Sequence, residues 1–477
     1  MIKEVGEAYP EKPPGRAVPP VPEMPAPIRR LQRGEPARAS FSVEIETVTP
    51  ILGGAPEPRT IDQVDVIRVP TIRGHLRFWW RALQRDPELL ADPAKLAAAE
   101  AALWGKAADN AGGRSPVEIR VEILHSSQID RDNVDANSVA GYALWPARQG
   151  EQDPAPAPRR RPGVRFHLHV TASASVLCDV RNAVRAWVLF GGYGSRTRRG
   201  VGSLTVAGEE EEQAEWLPHL DNPGTLIGRS QLRSGLSVAF GTDVLAPLTT
   251  PREPSFPILA GAFLVIGGFK ESATDVWTQA LQWLRDFRQR EDFARNPGTA
   301  PLRPGRSRWP EPDKLRRLFG THSAAHAPRY DASPAWPRAQ FGLPILGQFS
   351  NARGPGEPPK FELTWQDARG KLQDRMASPL IIKPLPVVGG FYPCALWLMR
   401  GYPPGEVVVL RQGGRAQGAV TGSEAVFRPA LSDADKTVAE KLKAPWGGTP
   451  DLRNPFLSAV LNGVLDPEGR RGTRVAP

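Results

Sequence analysis

Gly191-Gly192-Tyr193-Gly194-Ser195-Arg196-Thr197-Arg198-Arg199-Gly200-Val201-Gly202-Ser203-Leu204 sets five glycines and three arginines between a helical pattern and a β-rich one. Upstream, Val176, Leu177, Val180, Val184, Trp187 and Val188 recur at helical spacing, and Gly191-Gly192 ends that run. Downstream, Val201 to Val206 reads as a short strand. In dinucleotide and P-loop folds the glycines follow a strand and open a helix, so the order here is reversed. The third glycine is also out of place and no Gly-Lys-Ser/Thr follows, which excludes those nucleotide sites. What remains is a loop whose backbone N–H groups and guanidinium forks suit phosphate oxygens. A flexible basic turn is the plain alternative, and three crowded arginines without acidic neighbours argue against it.

Working outward, Ser40 to Val48 alternates apolar and polar residues and predicts a strand. Leu76, Trp80 and Leu83 share one face of a helix in Arg73 to Leu83, and Asp92 to Leu103 is a second helical run. Pro116 to Ile123 alternates again, a loop carrying Arg159-Arg160-Arg161 spans about Ser126 to Pro162, and Val164 to Val170 is a third strand. The order strand, helix, strand, strand, helix, strand is the split βαβ arrangement. In the second half, Ile258 to Phe269 predicts a strand, and Val276, Ala280, Trp283, Leu284 and Phe287 a helix. Further apolar runs at Leu343 to Leu346, Leu380 to Met399 and Val407 to Leu410 fit a diverged second copy. The expected fold class is α+β: two ferredoxin-like (RRM-like, βαββαβ) domains with long loop insertions. Residues 1–37 read as a disordered Pro-rich tail, 38–215 as the first domain with the Gly-rich loop, and 216–477 as the second with extensions.

Two domains suit 477 residues, and 40% hydrophobic with 23% charged residues is globular, while 51 prolines and 46 glycines imply long connections. A net charge of +10 favours polyanionic partners. Cys178 and Cys394, far apart and without zinc spacing, are expected as core thiols. There is no apolar leader and no run near the ~20 residues needed to span a bilayer, so a cytoplasmic, membrane-free setting is expected. No metal or cofactor is expected: Asp62 and Asp65 are two loop carboxylates without further ligands.

The first helix carries a second basic feature. Arg73, Arg77 and Arg81 stack at i, i+4, i+8 with Gln84 beside them, and such repulsion is relieved if an anion lies across the stripe. A solvated face is the alternative. Trp80 is expected in the core and Trp79 nearer an edge, placed to stack on a base. His75, beside Arg73 and Arg77, is the residue to nominate as a general base for 2′-OH attack, though it has no visible partner.

Thr49-Pro50-Ile51-Leu52-Gly53-Gly54, the helix Arg73 to Arg81 and the loop Gly191 to Gly202 resemble, in order and separation, three signatures of the first-named RAMP-superfamily subunit of type III-B (Cmr) CRISPR complexes. Trp309 to Asp313, Phe341 to Ile345 and Arg375 to Leu380 resemble that family's C-terminal half, extending the likeness over most of residues 40 to 400. The resemblance implies a non-catalytic subunit near the guide 3′-end, in contact with crRNA, target RNA and other RAMP subunits. The RNA-binding set expected is Arg73, Arg77, Trp79, Arg81, Gly192, Tyr193, Gly194, Ser195, Arg196, Arg198, Arg199 and Gly200, with the two segments converging into one electropositive trough. A RAMP-type guide-processing endoribonuclease using His75 is the rival, and a protein-assembly subunit without RNA affinity a third reading.

Overall fold

The computed structural model describes residues 37–106, 113, 115–150, 153–249, 254–297, 305–331, 336–349, 356–401, 403–411, 416–421, 432–449, 451–466 and 468–476. The Pro-rich segment expected as a tail lies, except for Ala37, outside the described residues.

Alternation builds the first sheet. In β1 (Arg38–Thr47), Val43, Ile45 and Thr47 are buried while Ser42, Glu44 and Glu46 face out, as a half-buried strand requires. Opposite them on β6 (Arg165–Ser173), Leu168 pairs with Val43 and Phe166 with Ile45, so one apolar face is continuous. With β3 (Glu118–His125) on the far side of β6 and β7 (Leu204–Val206) on the far side of β1, the order is β3-β6-β1-β7, antiparallel throughout. Helices α1 (Val69–Ala82) and α5 (Leu177–Phe190) are the crossovers, and α2 (Pro87–Ala91) and α3 (Pro93–Trp104) follow α1.

The expected loop from Ser126 to Pro162 instead contains β4 (Ile129–Asp130), α4 (Val139–Ala143) and β5 (Arg159–Arg160), which with β2 (Ile51–Leu52) form a small sheet β2-β5-β4. Of its three consecutive arginines only Arg161 is exposed. Arg159 is buried and reaches Asp130 at 2.6 Å, and Arg160 donates to the backbone oxygens of Ser127 and Asp62.

After α6 (Glu210–Ala214) and α7 (Leu226–Phe240) comes a second sheet from β8 (Ile258–Ile266), β12 (Leu380–Val387), β13 (Gly390–Met399) and β16 (Thr473–Ala476), ordered β12-β13-β8-β16. Written in chain order, both sheets have the pattern second, third, first, fourth, and both are antiparallel. The helix α8 (Ala273–Gln289) follows β8 and buries Val276, Ala280, Trp283, Leu284 and Phe287, the residues whose spacing predicted it. The chain is thus α+β with antiparallel sheets. Another sheet, β11-β10-β14-β15 with β9 beside β10, is built from β9 (Ile345–Gly347), β10 (Phe361–Asp367), β11 (Leu372–Gln373), β14 (Gly405–Arg411) and β15 (Ala416–Thr421). Val407 to Leu410 therefore belongs to this sheet and not to the second four-stranded one. Between β8 and β9 lies α9 (Glu311–Phe319), and α10 (Asp433–Lys441) and α11 (Arg453–Leu461) precede β16. One apolar cluster runs from Val43 and Trp187 through Leu264 and Leu396, joining the two four-stranded sheets. Of the cysteines, Cys394 is buried as expected but Cys178 is exposed, because it lies on the outer side of α5.

Candidate nucleic-acid interface

Pro70 presets the backbone for the first turn of α1, and Ile72, Leu76, Trp79 and Trp80 form the stripe that drives the helix into the core. Trp80 is buried as expected, but Trp79 is buried too, 3% exposed, with Phe78 edge-on at 5.1 Å and Phe190 at 6.0 Å. The position expected near an edge is closed because the α1–α5 contact is made of large rings on both sides.

The arginine stripe on α1 already has its anion. Arg77 Nε lies 2.6 Å from one oxygen of Glu100, and Arg81 pairs with the other. Burial works against ionising Glu100, but the two guanidinium groups outweigh it and hold the carboxyl below the usual glutamate range. Arg73 donates to the backbone oxygens of Trp104 and Val117, tying α1 to the end of α3 and the start of β3. These three arginines do not form an open positive stripe, and Glu100 went unnoticed because its role depends on a contact across the α1–α3 turn.

The Gly-rich loop divides into two halves. In the first, the Gly192 carbonyl accepts from Trp187 Nε1 at 2.9 Å, and Tyr193 points inward, its hydroxyl accepting the Arg68 N–H at 2.8 Å. Burial pushes the Tyr193 phenol up. The Ser195 N–H donates to the Leu52 carbonyl at 2.7 Å, docking the loop on the Gly53-Gly54 turn. Arg196 sits at φ +63°, a conformation non-glycine residues rarely take, with its Nε on the Ala143 carbonyl at 3.0 Å; the residue stays exposed, while partial burial of its guanidinium lowers it from the ordinary arginine value.

The second half faces the other half of the chain. Arg199 donates to the carbonyls of Leu380 and Phe341 at 3.0 and 3.1 Å, and Arg198 to that of Ser378 while lying 5.3 Å over the Phe78 ring. Burial lowers each of these two guanidinium groups to about 10. Gly200 takes φ +73°, and a Cβ there would stand 2.5 Å from Trp277 Cδ1. The expected phosphate cradle is therefore, at Arg198, Arg199 and Gly200, a clamp between the two four-stranded sheets, because protein carbonyls fill the guanidinium forks.

The two segments meet around His75, but not as the electropositive trough expected, since Arg73, Arg77 and Arg81 lie outside the cleft walls and two of them are paired with Glu100. Gly54, Arg68, Thr71, His75, Gly194 and Ser195 line a cleft of about 340 Å³ at the amino end of α1. On its other side His75 borders a second cleft of about 260 Å³ with Phe78, Thr197 and Arg198. The imidazole stacks on Trp187, 6.0 Å between centroids and 14° between planes, and its Nε2 is buried without a hydrogen-bond partner. Burial lowers its pKa to about 4, so it is neutral at physiological pH. Arg68 and Thr71 are the members of this site that sequence reasoning missed. The signal available was Pro70, which marks where the helix begins and hence which residues border its amino end. Asp62, considered for a metal, instead accepts the N–H groups of Val64 and Asp65, and these bonds hold its carboxyl low. Among the described residues no group of three His, Cys, Asp or Glu side chains has a metal-binding arrangement, and no helix is long and apolar enough to cross a membrane.

Residues 44–205 match the family model of the RAMP superfamily, the superfamily the sequence motifs resemble. No curated protein matches the chain. Among solved structures, Cmr1 from Pyrococcus furiosus in its apo form is 18% identical, with 84% of this chain and 97% of that one covered and a TM-score of 0.45. A chain of the type III-B Cmr-beta complex bound to cognate target RNA and AMPPnP in the presence of ssDNA is 11% identical over 84% and 98%, with a TM-score of 0.40. One from the same complex bound to cognate target RNA is 10% identical over 84% and 98%, with a TM-score of 0.38.

Proposed function

We propose that this chain, matched over residues 44–205 by the RAMP-superfamily model, is a non-catalytic, RNA-holding subunit of a type III-B CRISPR effector. It works in the cytoplasm near the guide 3′-end, in contact with guide and target RNA and with neighbouring RAMP subunits. Its two four-stranded sheets, alike in strand order, are read as a pair of ferredoxin-like domains. The observation that carries the reading is the meeting of helix α1 and the Gly-rich loop at one cleft, with an uncapped helix end and glycine backbone on its walls, Arg68 there paired with Asp62 at 3.5 Å, and exposed Arg196 on the same loop.

Against the endoribonuclease alternative stands the environment of His75. A general base performs best with a pKa near the working pH, whereas burial holds this imidazole near 4 and leaves its Nε2 closed off from solvent without a hydrogen-bond partner. The protein-assembly alternative predicts no salt-dependent affinity for RNA.

The test is filter binding of single-stranded RNA to the full chain across a salt series, together with sequencing of RNA that co-purifies with the native complex. Expected are guide-derived RNA in the complex and a log K against log salt slope that becomes shallower by about 0.7 in Arg196→Ala. Defined cleavage products that vanish in His75→Ala would overturn the non-catalytic reading, and an absence of salt-sensitive binding would overturn the RNA-holding one.

A further inference from the structure

Three guanidinium groups meet where the Gly-rich loop faces the second half of the chain, and no carboxylate among the described residues pairs with any of them. Arg196 comes from the loop, its Nε on the Ala143 carbonyl. Arg288, near the end of α8, donates at 2.5 Å to the hydroxyl of Tyr142, the residue before Ala143 on α4. Arg375 is exposed and precedes the stretch whose carbonyls at Ser378 and Leu380 hold Arg198 and Arg199. Burial lowers the Arg196 guanidinium, and the positive charges of Arg288 and Arg375 lower it further, so the three groups repel one another. The α1 stripe differs, because there Glu100 supplies the anion. Here the chain supplies none, and an anion from outside would relieve the repulsion.

The chemistry of that anion is indicated by a tryptophan beside the cluster. Trp145 stands on the short turn after α4 and is 59% exposed, in a protein that buries Trp79, Trp80, Trp187 and Trp283. Arg148 lies 4.2 Å from the centre of its ring, which steadies the indole and leaves aromatic surface to the solvent. Trp145 follows Ala143, the anchor of Arg196, by two residues, at most about 7 Å of chain. A small inorganic anion or a carboxylate would use the arginines and leave the indole idle. A nucleic-acid strand uses both, with phosphates on the guanidinium forks and an unstacked base on the ring.

We propose that Arg196, Arg288 and Arg375 hold backbone phosphates of a single-stranded stretch of RNA while Trp145 stacks one of its bases, so that the strand passes from the Gly-rich loop onto the second half of the chain. Duplex RNA does not suit the site, since its bases are already stacked inside the helix. The inference rests on the RNA-holding reading and names the surface at which it operates.

Fluorescence anisotropy on the full chain across a salt series tests it, with a short labelled single-stranded RNA and, as a separate arm, labelled polyglutamate. Trp145→Ala should weaken RNA binding about five- to hundred-fold and leave the log K against log salt slope unchanged, because a stacked base releases no counterion. Arg375→Ala should weaken binding and make that slope shallower by about 0.7. Arg375→Glu should remove most of the binding and raise the urea unfolding midpoint, since the new carboxylate answers Arg196 and Arg288, whereas an arginine with a purely structural role would lose stability on reversal. Arg120→Glu, the same change of charge at an exposed position on the edge strand β3, should reduce affinity far less. RNA affinity unmoved by Trp145→Ala or by Arg375→Ala, or reduced as much by Arg120→Glu as by Arg375→Glu, overturns the site and leaves the RNA-holding reading standing. Polyglutamate bound by the wild type and lost in Arg375→Glu, with RNA affinity unmoved, assigns the surface to an acidic protein and overturns the strand. No RNA binding by the wild type overturns the RNA-holding reading, and the site with it.

Discussion

Lys383 is fully buried on β12, its Nζ donating to the Val188 carbonyl near the end of α5 at 2.9 Å, with Cys394 directly opposite on β13. Burial lowers the ammonium from an ordinary 10.5 to about 7 and pushes the Cys394 thiol up to about 12, so the thiol stays protonated. Between about 7 and 10.5 the unfolded chain binds more protons at this lysine than the folded chain does. Stability should therefore rise with pH through that window and be level, as far as this group is concerned, below it. Urea unfolding at pH 7 and pH 9 should give a higher midpoint at the higher pH, and Lys383→Met should remove the difference. An equal midpoint for the wild type at both would mean the lysine is not held near 7. The cysteines give a simpler check: a thiol reagent should modify Cys178 in the native protein and reach Cys394 only after unfolding, given their exposed and buried positions. Both expectations needed coordinates, because a lone Cys or Lys in a sequence carries no mark of which side of its element it occupies.

Among the elements, those with a local signal were legible. The alternation in β1 and β6, the apolar stripes of α1, α5 and α8 and the glycine stop after α5 all lie where the sequence placed them, because each is dictated by neighbours along the chain. The sheet of β9, β10, β11, β14 and β15 was not legible, since its strands come from both sides of the β12–β13 hairpin. Nor was β5, a two-residue strand that exists only because β2 and β4 flank it. The α1 arginines teach the same lesson: helical spacing placed Arg77 and Arg81 together, but only the α1–α3 turn reveals Glu100. Glu100→Gln should consequently cost about 1–3 kcal/mol, the range for losing charged hydrogen bonds with the arginines left unpaired. The folded Glu100 has a lowered pKa, so its contribution is present above the ordinary glutamate range and is lost as pH falls through the lowered value. Wild type and variant should converge in stability at acid pH, as chemical denaturation would read out. A gap that persists there would assign the effect to packing instead.

For the molecule as a whole, the loop from Gly191 to Gly202 serves two purposes, and substitutions should separate them. Its first half borders the cleft; its second half, through Arg198, Arg199 and Gly200, reaches carbonyls and an indole in the second half of the chain. The Trp277 indole donates to the Arg199 carbonyl at 2.7 Å, and Thr49 Oγ1 donates to the Gly200 carbonyl at 2.6 Å, so a shift at Gly200 disturbs both sheets together. A Cβ at Gly200 meets two penalties: a left-handed backbone, about 1–2 kcal/mol, and a 2.5 Å approach to Trp277 that forces repacking, about 1–3 kcal/mol more. Gly200→Ala should thus lower stability by about 2–5 kcal/mol and alter the fluorescence of Trp277. Arg196→Ala should lower stability by only about 0.5–1.5 kcal/mol, the loss of its bond to the Ala143 carbonyl, while weakening RNA binding. If instead Arg196→Ala destabilised as much as Gly200→Ala, the loop would be a single structural strap, and Arg196 would have no part left over for RNA.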